Sequence, residues 1–122
     1  MIGALVIAAT GKFELSEQMD DGLTLETHLT SHWKQSGQMP EQLDIPDIPY
    51  ELVYVWDWWV ELNRTRPVGM DLGALNYTEI ANWATLLKIG VTAFEVRCIM
   101  ALDSAYMRVR GEQQARKAAS TT

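Results

Sequence analysis

Residues 49–66, PYELVYVWDWWVELNRTR, constrain the fold of this chain more than any other stretch. Trp56, Trp58 and Trp59, three of the five tryptophans, fall within four consecutive positions. Leu52, Val55, Trp56, Trp59 and Leu62 recur at the i, i+3, i+4, i+7 spacing of one helical face. Asp47 is placed to cap the start, Pro49 suits a first turn, and Pro67 stops the helix at Arg66. Val53, Val60 and the ring of Trp58 add a second apolar row. A helix with so wide an apolar surface either lies at the centre of a bundle or faces two partners. Its aromatic face is a core surface, or part of it is an external binding surface.

The segments around it also read as helices. Residues 24–36 place Leu25, Leu29 and Trp33 on one face, with Gly37 as a left-handed stop. Residues 38–48, held by Pro40 and Pro46, form an extended connector in which Leu43, Ile45 and Ile48 press on the bundle. Residues 67–75 read as a loop. In residues 76–89 a capping box pairs Asn76 with Glu79, the buried face is Ile80, Trp83, Ala84 and Leu87, and Gly90 ends the helix. A second capping box, Thr92 with Glu95, and a Val91–Val96 staple start the next helix. Val96, Ile99, Met100 and Tyr106 line its inner face, beside Leu102 and Met107. Asp103 interrupts that face and is expected to pair with an arginine such as Arg97 or Arg108, or with an indole N–H. The expected architecture is a small all-α bundle of about four helices with a Pro-rich connector. Its helical domain spans residues 21–109. Residues 1–20 are of uncertain structure, with a strand or helical turn at 2–9 and a linker after it. Residues 110–122 form a polar tail, either a frayed helical extension or disordered.

At 122 residues the chain is one domain able to bury a core without staples. A net charge of −6 makes it a poor binder of phosphate backbones and suits basic or apolar partners. The apolar run at 2–9 lacks a basic leader and is far short of the ~20 residues that cross a bilayer. Cys98, the single cysteine, reads as a buried thiol in a reducing cytoplasm. His28 and His32 stand four apart, yet no third histidine or metalloprotease glutamate accompanies them, so a solvated pair is expected. No nucleophile and base are grouped, no phosphate-binding loop is present, and neither metal nor cofactor is expected. Helix, short turn and helix across residues 77–105 outline a DNA-binding helix-turn-helix, but Thr92, Ala93, Phe94 and Glu95 are poor base readers.

Taken together, the order Gly22-Leu23-Thr24-Leu25-Glu26-Thr27-His28-Leu29, then Trp33 and Gly37, then Trp56-Asp57-Trp58-Trp59 with Glu61-Leu62, runs on through Arg66 into Tyr77-Thr78-Glu79-Ile80 and Trp83. It closes with Thr92-Ala93-Phe94-Glu95-Val96 and Leu102-Asp103 before Ala105-Tyr106. This pattern resembles a group of small tailed-bacteriophage proteins, the tail assembly chaperones, over roughly residues 21–109. Trp59 stands where many of that group have phenylalanine, and the loop at 67–73 is less glycine-rich. The resemblance implies a non-enzymatic protein of the host bacterial cytoplasm that covers apolar helices of the tape-measure protein. It further implies contact with the tail tube protein or with further copies of itself. Trp56, Trp58, Trp59 and Met70 are the expected partner-binding residues. A structural or adaptor component of the tail is the alternative.

Overall fold

The computed structural model describes residues 1–66 and 73–120, and every regular element among them is helical. Five α-helices follow in chain order: α1 (Ile2–Leu15), α2 (Leu25–Ser36), α3 (Val53–Arg64), α4 (Tyr77–Leu87) and α5 (Ala93–Ser120). The all-α class agrees with the periodicities. The helix count exceeds the expected four because of α1.

That first helix hides in the sequence because it has no polar side. Leu5, Ala8, Ala9 and Phe13 are buried at i, i+3, i+4 and i+8, yet Ile2, Val6 and Ile7 are also apolar, so no amphipathic stripe stands out. α1 lies along α5, and the small side chains of Ala8 and Ala9 suit a close approach. Residues 14–21, expected as a linker, instead finish α1 and open a tight turn that runs on to Thr24. Met19 N–H donates to the Leu23 carbonyl, Gly22 N–H to that of Met19, and Leu25 N–H to that of Glu17. Gly22 has φ 83°, the left-handed conformation that favours glycine.

α5 does not stop near Val109. It continues to Ser120 as a 28-residue helix, about 42 Å long. Its extension is fastened by polar groups. Gln113 is buried and its amide donates to the Phe13 carbonyl, Arg110 reaches Ser16 Oγ, and Arg116 pairs with Glu17 at 2.9 Å. The expected 21–109 boundary therefore falls inside a packed unit, and residues 110–120 are helical rather than a loose tail. Polar contacts between residues about a hundred apart in the chain carry no hydrophobic period, which is why a sequence pattern ends too early.

Capping chemistry follows expectation at most ends. Gly37 closes α2 with φ 77°, as expected, while Thr24 Oγ1, not foreseen as a cap, accepts from Thr27 N–H. Thr92 and Glu95 make both bonds of their box, at 2.8 and 3.2 Å. Asn76 Oδ1 accepts from Glu79 N–H at 2.9 Å. Two ends differ. α3 begins after a 3-10 turn, Tyr50–Leu52, with no side-chain cap, so Asp47 does not serve as one. α4 ends at Leu87, where Lys88 takes φ 56°, two residues before Gly90.

The connector after α2 opens with a 3-10 turn at Glu41–Leu43 and is irregular from 44 to 49, so it is not uniformly extended. Leu43 and Ile45 are half-buried between exposed neighbours, the expected alternation, whereas Ile48 is half-buried together with Pro49. Ile45 rests on the α1 backbone: a Cβ built on Gly11 would stand 2.6 Å from Ile45 Cγ2. The core joins Leu5 and Phe13 of α1, Val55, Trp59 and Leu62 of α3, Ile80 and Trp83 of α4, and Cys98, Ile99, Leu102 and Val109 of α5. α2 buries none of its residues, and Trp33 is exposed, so it is the loosest element of the fold.

Candidate functional site

The indoles of α3 divide between two neighbourhoods. Trp59 is 3% exposed and belongs to the core. Phe13 sits among Trp59 at 5.1 Å, Trp56 at 5.6 Å and Tyr106 at 5.2 Å between ring centroids, which ties α3 to α1 and α5. Trp56 is half-buried in this cluster. Trp58 is half-buried elsewhere, edge-to-face with Tyr54 at 4.9 Å and with Trp83 of α4 at 5.5 Å. Of the four expected partner-binding residues, Trp59 has no face left for a partner in this conformation. Trp56 and Trp58 keep some exposure, and Met70 lies outside the described residues.

Behind α3 the core contains an ion pair. Asp103, 2% exposed, accepts from Trp59 Nε1–H at 3.2 Å, from Leu75 N–H at 2.8 Å and from Arg66 Nη2. Arg66 also donates to Asn63 Oδ1 and to the Gly73 carbonyl, and its guanidinium lies 5.2 Å from the centre of the Tyr106 ring. The expected indole partner of Asp103 is present. The expected arginine is replaced: Arg66, distant in sequence, takes the place of Arg97 or Arg108. With both carboxylate oxygens facing donors, this group acts as a strut joining α3, α5 and the chain entering α4.

A groove of about 520 Å³ opens between α3 and α4. Glu61, Leu62 and Thr65 form one wall, and Glu79, Asn82, Trp83, Leu86 and Leu87 the other. Leu86 is 80% exposed and Leu87, expected on the buried face, is 49% exposed. Leu87 is the last residue of α4, followed directly by Lys88 in the left-handed conformation. Trp83 Nε1 is buried without a hydrogen-bond partner among the described residues. An unpaired buried donor costs about 1–3 kcal/mol, a penalty that a protein tolerates only where something offsets it. Its aromatic neighbour Trp58 offers no nitrogen or oxygen acceptor. Two glutamates border the groove, and no basic residue lines it. The usable sequence signal for this site was Leu86, an aliphatic residue at a solvent-facing position of α4.

A second hollow, about 580 Å³, lies between the turn after α1 and the end of α5. Its charges are mixed and largely paired, Glu17 with Arg116 and Asp21 with His28 at 2.9 Å. The Leu23 backbone N–H, and secondarily His28, hold the Asp21 carboxyl below its ordinary value. His28 thus has an acidic partner. No cluster of three or more metal-ligating side chains occurs among the described residues.

Near the start of α5, Tyr54 O–H donates to Glu95 at 2.6 Å. This bond lowers the Glu95 carboxyl and raises the Tyr54 phenol relative to their ordinary values. The first turn of α5 therefore presents Phe94 and an anionic Glu95, a poor surface for DNA. Cys98 is fully buried, and desolvation pushes its thiol up. No described helix is long and apolar enough to cross a membrane.

These features define a small all-helical protein with an ion-paired strut in its core and an acidic-rimmed apolar groove on its surface. A family model described as phage tail assembly chaperone matches residues 32–108. The chain belongs to that family. Searches of curated proteins and of solved structures find no match.

Proposed function

We infer that the protein is a non-enzymatic chaperone that covers apolar helices of the phage tape-measure protein in the host cytoplasm, before the tail tube closes around it. The observation that carries this reading is the groove between α3 and α4, with Leu86 and Leu87 exposed beside the Trp58–Trp83 pair. Exposed leucines beside a cleft are unfavourable in water unless they are covered for part of the protein's life. A rod of apolar helix awaiting assembly has the complementary need. Helix-in-groove recognition, with a few apolar anchors at i, i+3 and i+7, satisfies both surfaces at once.

Trp58, packed on Trp83, remains a candidate contact at the margin of this surface, Trp56 is a candidate contact on the separate side of α3 that faces Phe13, and Trp59 belongs to the core. Met70 is a candidate contact from the loop. The tail tube protein is a candidate second partner, and self-association a candidate resting state. Family membership supports a role in tail assembly, and the Glu95-bearing start of α5 disfavours DNA.

Co-expression with the tape-measure protein tests the reading. The soluble fraction of the tape measure is expected to rise with this protein and to fall back with Leu86→Asp. Unchanged solubility would refute the proposed role. Mass spectrometry of purified virions is expected to find few copies, whereas stoichiometric copies would mark a structural tail component.

A further inference from the structure

We propose that the groove between α3 and α4 selects amphipathic helices whose apolar stripe is flanked by lysine or arginine. This deepens the chaperone reading and rests on it. The wall residues supply the chemistry. Leu62, Trp83, Leu86 and Leu87 form an apolar floor and rim, while Glu61 and Glu79 stand exposed on the two walls. No cation among the lining residues offsets them. A helix seated between these walls has its apolar stripe on Leu86 and Leu87 and its flanking positions beside the two carboxylates. Cationic flanks gain from both acids, and anionic flanks are repelled by both.

The same charges argue against a second copy of this chain as occupant. The chain carries a net charge of −6, and a symmetric pairing of two such grooves would bring four glutamates together.

The experiment uses the full chain and two fluorescent 18-residue peptides of identical leucine stripe, one flanked by lysine and one by glutamate. Binding is read by anisotropy at low and at moderate salt. Two exposed ion pairs correspond to about a tenfold advantage for the lysine peptide at low salt, declining as salt rises. The double variant E61Q/E79Q is expected to erase that advantage. E41Q/D44N, which removes two acids from the distant 3-10 turn and so changes net charge equally, is expected to retain it. Leu86→Asp is expected to weaken the lysine peptide despite the added negative charge. All these positions are exposed or half-exposed, so the fold tolerates the changes, and circular dichroism verifies it. Equal binding of the two peptides overturns the proposal, as does an equal response to the two double variants. Concentration-dependent dimerisation that Leu86→Asp abolishes also overturns it, because the occupant is then a second copy. If co-expression solubilises the tape measure while peptide selectivity is absent, the inference fails and the chaperone reading stands. If selectivity is present but solubility is unchanged, the groove is specific and the chaperone reading fails.

Discussion

Replacing Arg66 with methionine probes the strut on which the core depends. Methionine keeps an unbranched stem of similar reach and removes the guanidinium, leaving Asp103 at 2% exposure with only Trp59 N–H and Leu75 N–H as donors. Breaking a buried ion pair from one side typically costs 3–5 kcal/mol, since the remaining charge keeps its desolvation penalty and loses its counter-charge. The loss of the Asn63 and Gly73 bonds and of the Tyr106 stacking acts in the same direction. A domain of this size has about 5–15 kcal/mol of stability in total, so R66M is expected to be severely weakened but measurable. With a urea slope of about 2 kcal/mol per molar, the midpoint falls by roughly 2 M. Urea titration followed by tryptophan fluorescence is the assay, and Trp59 beside the lost charge makes it sensitive to the site. The double variant R66M/D103N should lose less than the sum of the two singles, with a coupling of at least about 1 kcal/mol. A loss below about 1 kcal/mol in R66M, or additive singles, would mean that the pair does not hold α3 to α5 as described.

Gly11→Ala gains about 1 kcal/mol of helix propensity in the abstract, but its new methyl meets Ile45 Cγ2 at 2.6 Å. The expected outcome is net destabilisation in the same urea assay, relieved by Ile45→Ala in the double variant. A stabilising Gly11→Ala would show that the connector does not rest on α1. Glu95→Gln keeps the acceptor for Thr92 N–H and removes the charge. The Glu95 carboxyl is lowered by Tyr54 in the folded state, so its contribution is present above the ordinary carboxylate range near pH 4.3 and is lost as the pH falls through the lower folded value. The stability gap between wild type and Glu95→Gln should therefore be present at pH 7 and shrink as the pH falls below the ordinary carboxylate range. Because the pair is exposed, the gap stays well under 1 kcal/mol, and a gap that grows on acidification would contradict the bond.

Local chemistry was legible without coordinates. The caps at Asn76 and Thr92 act over three residues, the stop at Gly37 over one turn, and the α3 face over about three turns. Each of these is written in a short window of sequence. The α1 helix was not legible, because a segment apolar on every side shows no period until a neighbour defines which side is buried. The extension of α5 was only half legible, since its composition left a frayed helix and disorder both open. Its anchors, Gln113, Arg110 and Arg116, are ordinary surface residue types that become structural only when the turn after α1 arrives beside them.

The same division applies to the candidate site. The composition of residues 49–66 determined that an aromatic helix would organise the fold, and the acidic balance determined what kind of partner the surface favours. Tertiary packing alone decided that Trp59 belongs inside, that Arg66 answers Asp103, and that Leu86 and Leu87 are left in water. The physical reason is that periodicity states which residues share a face, whereas burial depends on what another segment brings to it. A three-dimensional partner 37 positions away, as Arg66 is from Asp103, leaves no mark on the local pattern of either residue.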